Sequence, residues 1–335
     1  MRAIAYIVLV LLAACGGTTD QVELVGNALG TQFSVKLPNG TGEHDPAKLQ
    51  KSVESVLESI DAQMSTYRAD SEINRFNTSE SLDWQTVSPD LCRDIEHAQA
   101  LSRLTDGAFD ITVAPLVDLW GFGPGKMIDT PPDDGEIAAR LANTGFEHLH
   151  TDCNRSLLKK DLPDLMIDLS AIGKGFAADR VGLLLDAIGF ESYLVEVGGE
   201  LAIRGLNASA EPWAIGIEAP LPDQRRPHLV VHLTDTGMAT SGDYRNFFEA
   251  DGNIYSHTID TRTGRPVTHS LASVTVVDAA AARADALATA LLVMGPDEGM
   301  DFAEREELAV LMLIRTGDSI EETASIAFDR LREMS

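Results

Sequence analysis

Residues 165–181, LMIDLSAIGKGFAADRV, restrict this chain more than any other stretch. An apolar run, Leu165-Met166-Ile167, ends in a carboxylate, Asp168. Small residues follow (Ser170, Ala171, Gly173, Gly175), and a helical pattern begins at Phe176. The order predicts a strand, a glycine turn and a helix start. Such a junction leaves backbone N–H groups and the positive end of a helix dipole where a phosphate can sit. Lys174 adds a mobile cation there, and Asp168 a partner for a metal or a hydroxyl. The P-loop is excluded by spacing. It needs a glycine five residues before the Gly-Lys pair and a Ser or Thr after it, where this chain has Asp168 and Gly175.

The N-terminus reads as an export signal. Residues 1–14 carry one positive charge, Arg2, then an apolar run from Ile4 to Leu12, too short to span a membrane as a helix. The run ends Leu12-Ala13-Ala14-Cys15, which resembles a bacterial lipoprotein cleavage box with Cys15 as the lipidated residue. Residues 15–21 are small and polar and form a tether, and one domain fills 22–335. Loss of Arg2 with the leader takes the formal charge from -26 to -27. A surface this acidic repels phosphates and excludes nucleic acid as a partner. It suits a soluble domain in the bacterial cell envelope, facing the periplasm, with the lipid in either the inner or the outer membrane. Cys92 and Cys153 remain, either paired as a disulfide in that oxidising compartment or kept as buried thiols.

Alternation and turn residues predict two strands over 22–37. Helices follow at 46–67, with Leu49, Val53, Val56, Leu57, Ile60 and Met64 at helical spacing, and at 88–105. A short helix after Tyr67 takes its cap from Asp70 or Ser71. Tyr67, beside a turn, suits stacking on a planar ring. The loop from Trp120 to Gly125 alternates glycine with large rings and reads as a lid or a surface turn. A helix is expected at 133–142 and strands within 148–162, where His148 and His150 would share one face as a minor metal candidate. Strands around residues 196–200 are interrupted by Gly198-Gly199, a bulge or a close backbone approach. Strands over 213–218 and 228–233 precede the Ser241-Gly242 segment and His257-Thr258-Ile259-Asp260. A strand from Ser273 then leads into a long alanine-rich helix. Asp285 and Thr289 lie four apart there and share a face, a donor pair suited to a hard cation.

These segments together resemble the ApbE family, the FAD:protein FMN transferases, over nearly all of the chain past the leader. The resemblance rests on Gly30-Thr31, on Ser65-Thr66-Tyr67 with Asp70-Ser71-Glu72-Ile73, and on Gly107-Ala108-Phe109-Asp110. It continues through Asp168 to Gly175, Val197-Gly198-Gly199-Glu200, Ser241-Gly242, His257 to Asp260 with Thr263-Gly264-Arg265-Pro266, and Asp285 to Thr289. It implies Mg²⁺-dependent transfer of FMN from FAD to a Thr or Ser hydroxyl of a target protein, with release of AMP. Metal ligands would be the carbonyl of Ala171 and the side chains of Asp285 and Thr289. FAD contacts would fall on Leu29, Tyr67, Ala108, Phe109, Asp110, Asp168, Lys174, His257 and Ile259. The family usually carries Met before the first Gly-Thr, where this chain has Leu29; both are apolar and similar in volume. The acceptor implied is a subunit of a membrane redox complex.

The chemistry fits those residues. Breaking a pyrophosphate needs charge neutralisation and an in-line nucleophile, so positioning and electrostatics carry most of the catalysis. Asp285 and Lys174 supply the charges, and His257 is the candidate to accept the hydroxyl proton. Two other activities use the same residues: a Mg²⁺-dependent FAD pyrophosphatase, with water as nucleophile, and a flavin-binding lipoprotein without chemistry. The expected fold is α+β, with mixed, mostly antiparallel sheets and packed helices in two interleaved halves.

Overall fold

An eight-stranded sheet organises the molecule, described by a computed structural model over residues 21–125, 128–221, 226–243, 247–250, 252–317 and 319–333. Its strands lie side by side in chain order: Val22–Ala28, Thr31–Leu37, Tyr193–Val197, Glu200–Arg204, Thr236–Gly242, Leu271–Asp278, Ala309–Thr316 and Ser319–Ala324. Every ladder among the described residues is antiparallel. This α+β arrangement is the expected one, with no parallel pairing.

Both faces of the sheet are covered. On one face lie the helices Pro46–Met64, Gly173–Ala187 and Ala281–Met294. Against the other pack the hairpin Trp213–Glu218/Pro227–Leu233 and the helix Ile326–Glu333, through Trp213, Ile215, Val231 and Phe328. Double coverage explains why Leu271–Asp278 shows no alternation: its first seven residues are all buried. The alanine-rich helix is apolar nearly all round for the same reason.

Small residues let that helix approach closely. A Cβ on Gly175 would stand 2.5 Å from the Ala281 carbonyl oxygen, and one on Gly237 would stand 2.2 Å from the Ala281 nitrogen. The helix has no side-chain cap of its own. Its first N–H groups, on Ala281 and Ala282, donate instead to the two Asp179 carboxylate oxygens, each at 2.9 Å. That bond pair ties one helix to the other and satisfies two orphan donors at once.

The excursion between the second and third strands carries the expected helices, trimmed. They span Pro46–Met64, Glu72–Asn77 capped by Ser71, Pro89–Leu104 capped by Ser88, and Asp134–Leu141. Cys92 and Cys153 are bonded, tying the third of these helices to the small sheet Gln85–Thr86/Leu157–Lys160/Leu149–Asp152. A cross-link of this kind is typically worth about 2–4 kcal/mol. His148 falls in the short 3₁₀ turn before that sheet, and His150 bonds Asp161 at 2.6 Å, so the two histidines do not share a strand.

Two expectations at the central stretch are corrected. Residues 165–168 join no ladder; Ile167 exchanges hydrogen bonds with the Asn77 side chain, and the Asp168 N–H donates to the Ile111 carbonyl at 2.7 Å. The helix begins at Gly173 rather than Phe176, because the glycines themselves wind into its first turn. Gly198-Gly199 form not a bulge but the turn of the hairpin Tyr193–Val197/Glu200–Arg204, at φ 64° and 108°, and the expected close approach is there: a Cβ on Gly198 would stand 2.8 Å from Thr31 Cγ2. No helix among the described residues is long and apolar enough to cross a membrane. The leader and Cys15 lie outside the described residues.

The far end of the alanine-rich helix rests on His269. Its Nε2–H donates to the Leu292 carbonyl at 2.7 Å, and its Nδ1 accepts the Leu271 N–H at 3.3 Å, so the bonded ring is neutral. Burial holds its pKa below the ordinary 6.5, against the pull of the Leu292 carbonyl, Asp243 and Asp260. The unfolded chain therefore takes up this proton first as pH falls, and the stability that the neutral ring contributes is complete above about pH 6.5. It is lost as pH drops through the folded value. Denaturant unfolding between pH 7.5 and 5 is expected to show a smaller acid loss in His269→Gln than in the wild type; parallel losses would refute this.

Candidate active site

The helix Gly173–Ala187 opens without a side-chain cap. Its Gly175 N–H donates to Asp285 Oδ2 at 3.1 Å, across the contact with the alanine-rich helix. Asp285 is only 2% exposed. Burial raises its carboxyl pKa, opposed by Lys174 and by the Gly175 N–H. Its position one turn inside a helix start, facing a second helix start, places negative charge where both dipoles favour it.

Lys174 extends from the same turn. Its Nζ lies 3.2 Å from Glu200 Oε1 and 3.8 Å from Asp285 Oδ1, and about a third of the side chain (32%) stays open to the cleft. Burial alone would lower the ammonium pKa, but the two carboxylates outweigh it and hold the lysine charged. Burial and the neighbouring Asp285 raise the Glu200 carboxyl above its ordinary range, opposed by the Lys174 ammonium. Glu200 Oε2 is buried with no hydrogen-bond partner. With both acids ionised, this cluster holds one more negative charge than positive.

These groups sit at one end of a cleft of about 400 Å³. Tyr67, Ala108, Phe109, Asp110, Asp168, Ala171, Lys174, His257, Ile259, Asp285 and Thr289 all line it, so the fold gathers every residue expected to meet FAD or metal except Leu29. Leu29 forms the apex of the first hairpin at φ 52° and packs against the core. Its neighbours Gly30 and Thr31 line a second groove of about 880 Å³, which shares Gly198 and Thr240 with the cleft.

Several side chains prove to brace the site. Asp110 spends both oxygens on the loop: Oδ1 accepts the Thr112 N–H and hydroxyl, and Oδ2 accepts the Phe146 N–H at 2.9 Å. Its pKa is raised by burial, which those bonds partly offset. Asp168 Oδ1 accepts the Ser170 N–H at 2.7 Å and shapes the turn that leads to Ala171. Tyr67 is 69% exposed, with its hydroxyl donating to the Phe122 carbonyl at 3.3 Å. The aromatic loop is no free lid. Trp120 is buried and its Nε1–H donates to the Gly264 carbonyl at 2.8 Å, while Phe122 sets its ring edge-on to His257, centroids 6.3 Å apart.

The donors suit a hard cation. Asp285 offers a carboxylate oxygen that no hydrogen-bond donor reaches among the described residues, and Thr289 a hydroxyl 3.1 Å from the Ser241 hydroxyl. The carbonyl of Ala171 belongs to a residue lining the same cleft. No group of three or more His, Cys, Asp or Glu side chains gathers as a metal site among the described residues. A cation held here takes few protein ligands and completes its shell from substrate oxygens and water, the habit of magnesium. Sequence reasoning gave no role to Glu200 or Ser241. The signal for both was the glycine beside each, in Gly-Gly-Glu and Ser-Gly, which brings backbone close to a site.

The ApbE family profile matches residues 29–312. A Vibrio cholerae protein named FAD:protein FMN transferase is 46% identical over 320 residues, covering 96% of this chain and 95% of its own. The solved flavin transferase ApbE from Vibrio cholerae superposes with a TM-score of 0.86 at 44% identity, over 93% of this chain and 99% of its own. The apo flavinyl transferase ApbE of Pseudomonas stutzeri gives 0.84 at 39% identity, over 93% and 96%.

Close packing at Gly175 generates a test. Gly175→Ala is expected to destabilise the protein by roughly 1–3 kcal/mol, because the new methyl overlaps the Ala281 backbone. A Cβ at Gly173 meets nothing within 4 Å, so Gly173→Ala should stay within about 0.5 kcal/mol of wild type. Chemical denaturation of the two variants decides the matter: equal stabilities would show that the helices do not touch as described.

Proposed function

From the chain's membership of the ApbE family, we propose that it transfers the FMN portion of FAD to a Thr or Ser hydroxyl of a target protein and releases AMP. The observation that carries the reading is the pairing of Lys174, at a helix start, with buried Asp285 at the end of one cleft that also holds Tyr67, Asp168 and His257. In the reaction the hydroxyl oxygen bonds to the FMN phosphorus, the phosphoanhydride bond to AMP breaks, and the hydroxyl proton passes to His257. Lys174 holds phosphate charge at the helix start. Tyr67 offers the flavin a ring face at the cleft mouth, and Phe109 supplies an apolar wall. Asp285, Thr289 and the Ala171 carbonyl would hold Mg²⁺, which when bound neutralises pyrophosphate charge.

General-base help is typically worth 10²–10⁴-fold. Incubation with FAD, Mg²⁺ and an acceptor subunit of a membrane redox complex should give a fluorescent acceptor band. His257→Ala should slow that labelling by this order while FAD affinity changes far less. The wild-type rate should also fall on the acid side as the imidazole protonates, and the variant should lose that limb. Free FMN and AMP without a labelled acceptor would mean that water is the nucleophile, a pyrophosphatase. Absence of AMP altogether would mean a flavin carrier.

The same reading places the protein in the bacterial envelope, held by lipid on Cys15 and facing the periplasm. The Cys92–Cys153 disulfide supports an oxidising compartment. Cys15→Ser should move the protein to the soluble fraction, since stable anchoring needs the acyl chains. Retention on membranes after a high-salt wash would overturn the lipid anchor.

A further inference from the structure

Two carboxylates compete for one ammonium at the end of the cleft. Lys174 Nζ is within bonding range of Glu200 Oε1 at 3.2 Å, whereas Asp285 Oδ1 stands off at 3.8 Å. Asp285 Oδ2 is engaged by the Gly175 N–H. Oδ1 is thereby the oxygen left for a cation, and among the described residues Lys174 is the cation placed to take it.

The hairpin turn decides where Lys174 goes. Gly198 and Gly199 both adopt positive φ, and Glu200 follows directly as the first residue of the next strand. A Cβ on Gly198 would lie 3.0 Å from Lys174 Cδ and 2.8 Å from Thr31 Cγ2. The methylenes of the lysine therefore pass over this glycine to reach Glu200. Glu200 itself is an expensive residue. It is 4% exposed, and its second oxygen is buried with no hydrogen-bond partner. A carboxylate buried for a single ion pair does not stabilise a fold by much. Its placement makes sense as a means of steering the lysine.

We propose that Glu200 is a positioning residue: it draws the Lys174 ammonium off Asp285 and so keeps Asp285 open to a divalent cation. This rests on the reading of Asp285 and Thr289 as magnesium ligands. Without Glu200, the nearest remaining carboxylate for Lys174 is Asp285. Closing that gap to about 2.8 Å would create a tight, buried ion pair that an entering cation must break.

The test is a double-mutant cycle read by calorimetric titration of MgCl₂ into the FAD-free full chain, with thermal unfolding of each variant alongside. Glu200→Gln should raise the Kd for Mg²⁺ about tenfold or more. In a Lys174→Met background the same substitution should change Kd less than twofold, because no ammonium remains to collapse onto Asp285. Glu200→Asp keeps the charge but withdraws it by one methylene. It should also weaken binding, with the same suppression by Lys174→Met, and it carries the test if the Gln variant does not fold. Equal weakening in both backgrounds would overturn the proposal, since Glu200 would then act on the cation itself. So would an unchanged Kd in Glu200→Gln. If the wild type takes up no Mg²⁺, the metal reading fails and this inference with it.

Discussion

The contact between the starts of two helices underlies the rest of this structure. Gly175 lies against Ala281 with no room for a side chain between them, and Gly237 closes on the same residue from the sheet. Asp179 then caps the alanine-rich helix from its neighbour, and Asp285 returns a bond to Gly175. Hydrogen bonds thus run in both directions across one close contact. They fix the depth at which Asp285 and Thr289 enter the cleft and the direction in which Lys174 leaves the glycine turn.

That contact makes the electrostatics of the site possible. Two carboxylates and one ammonium buried together stabilise a fold poorly, because desolvation offsets most of their attraction. Their pKa values are moved in opposition: the acids are raised by burial, and the lysine is held charged by the acids. Perturbed groups of this kind, converging in a cleft, mark a functional site. With both acids ionised the net negative charge favours a cation, while the two helix starts and Lys174 favour an anion. A substrate pyrophosphate with a bound divalent ion answers both demands.

The walls of the cleft come from the long excursion between the second and third strands and from the segment near His257. Trp120 reaches across to the Gly264 carbonyl and ties the two walls together, while the Tyr67 hydroxyl bonds Phe122 within the first wall. The shared lining at Gly198 and Thr240 joins the cleft to the larger groove between the first hairpin and the strand Trp213–Glu218. The rim of the cleft is therefore braced rather than a loose loop.

The sequence by itself determined the helices near 46–64, 72–77, 89–104, 134–141 and 281–294, several alternating strands and the family, because hydrophobic periodicity and capping residues are local signals; the elements after residue 295 were not read from it. Ser71, Ser88 and the spacing from Leu49 to Met64 were enough to place three helices within a few residues. Asp285 and Thr289, four apart, declared a shared face for the same reason. Tertiary structure alone decided the rest. The run at 165–168 has the composition of a strand, yet Asn77 and Ile111 take its hydrogen bonds and no ladder forms. Whether Cys92 met Cys153, and whether the Asp110 oxygens faced substrate or the Thr112 and Phe146 amides, depended on groups far away in the chain. Glu200 had no visible role until the Gly198-Gly199 turn carried it to Lys174. Local pattern records which backbone a residue favours; its partners are set by long-range packing, which no local pattern encodes.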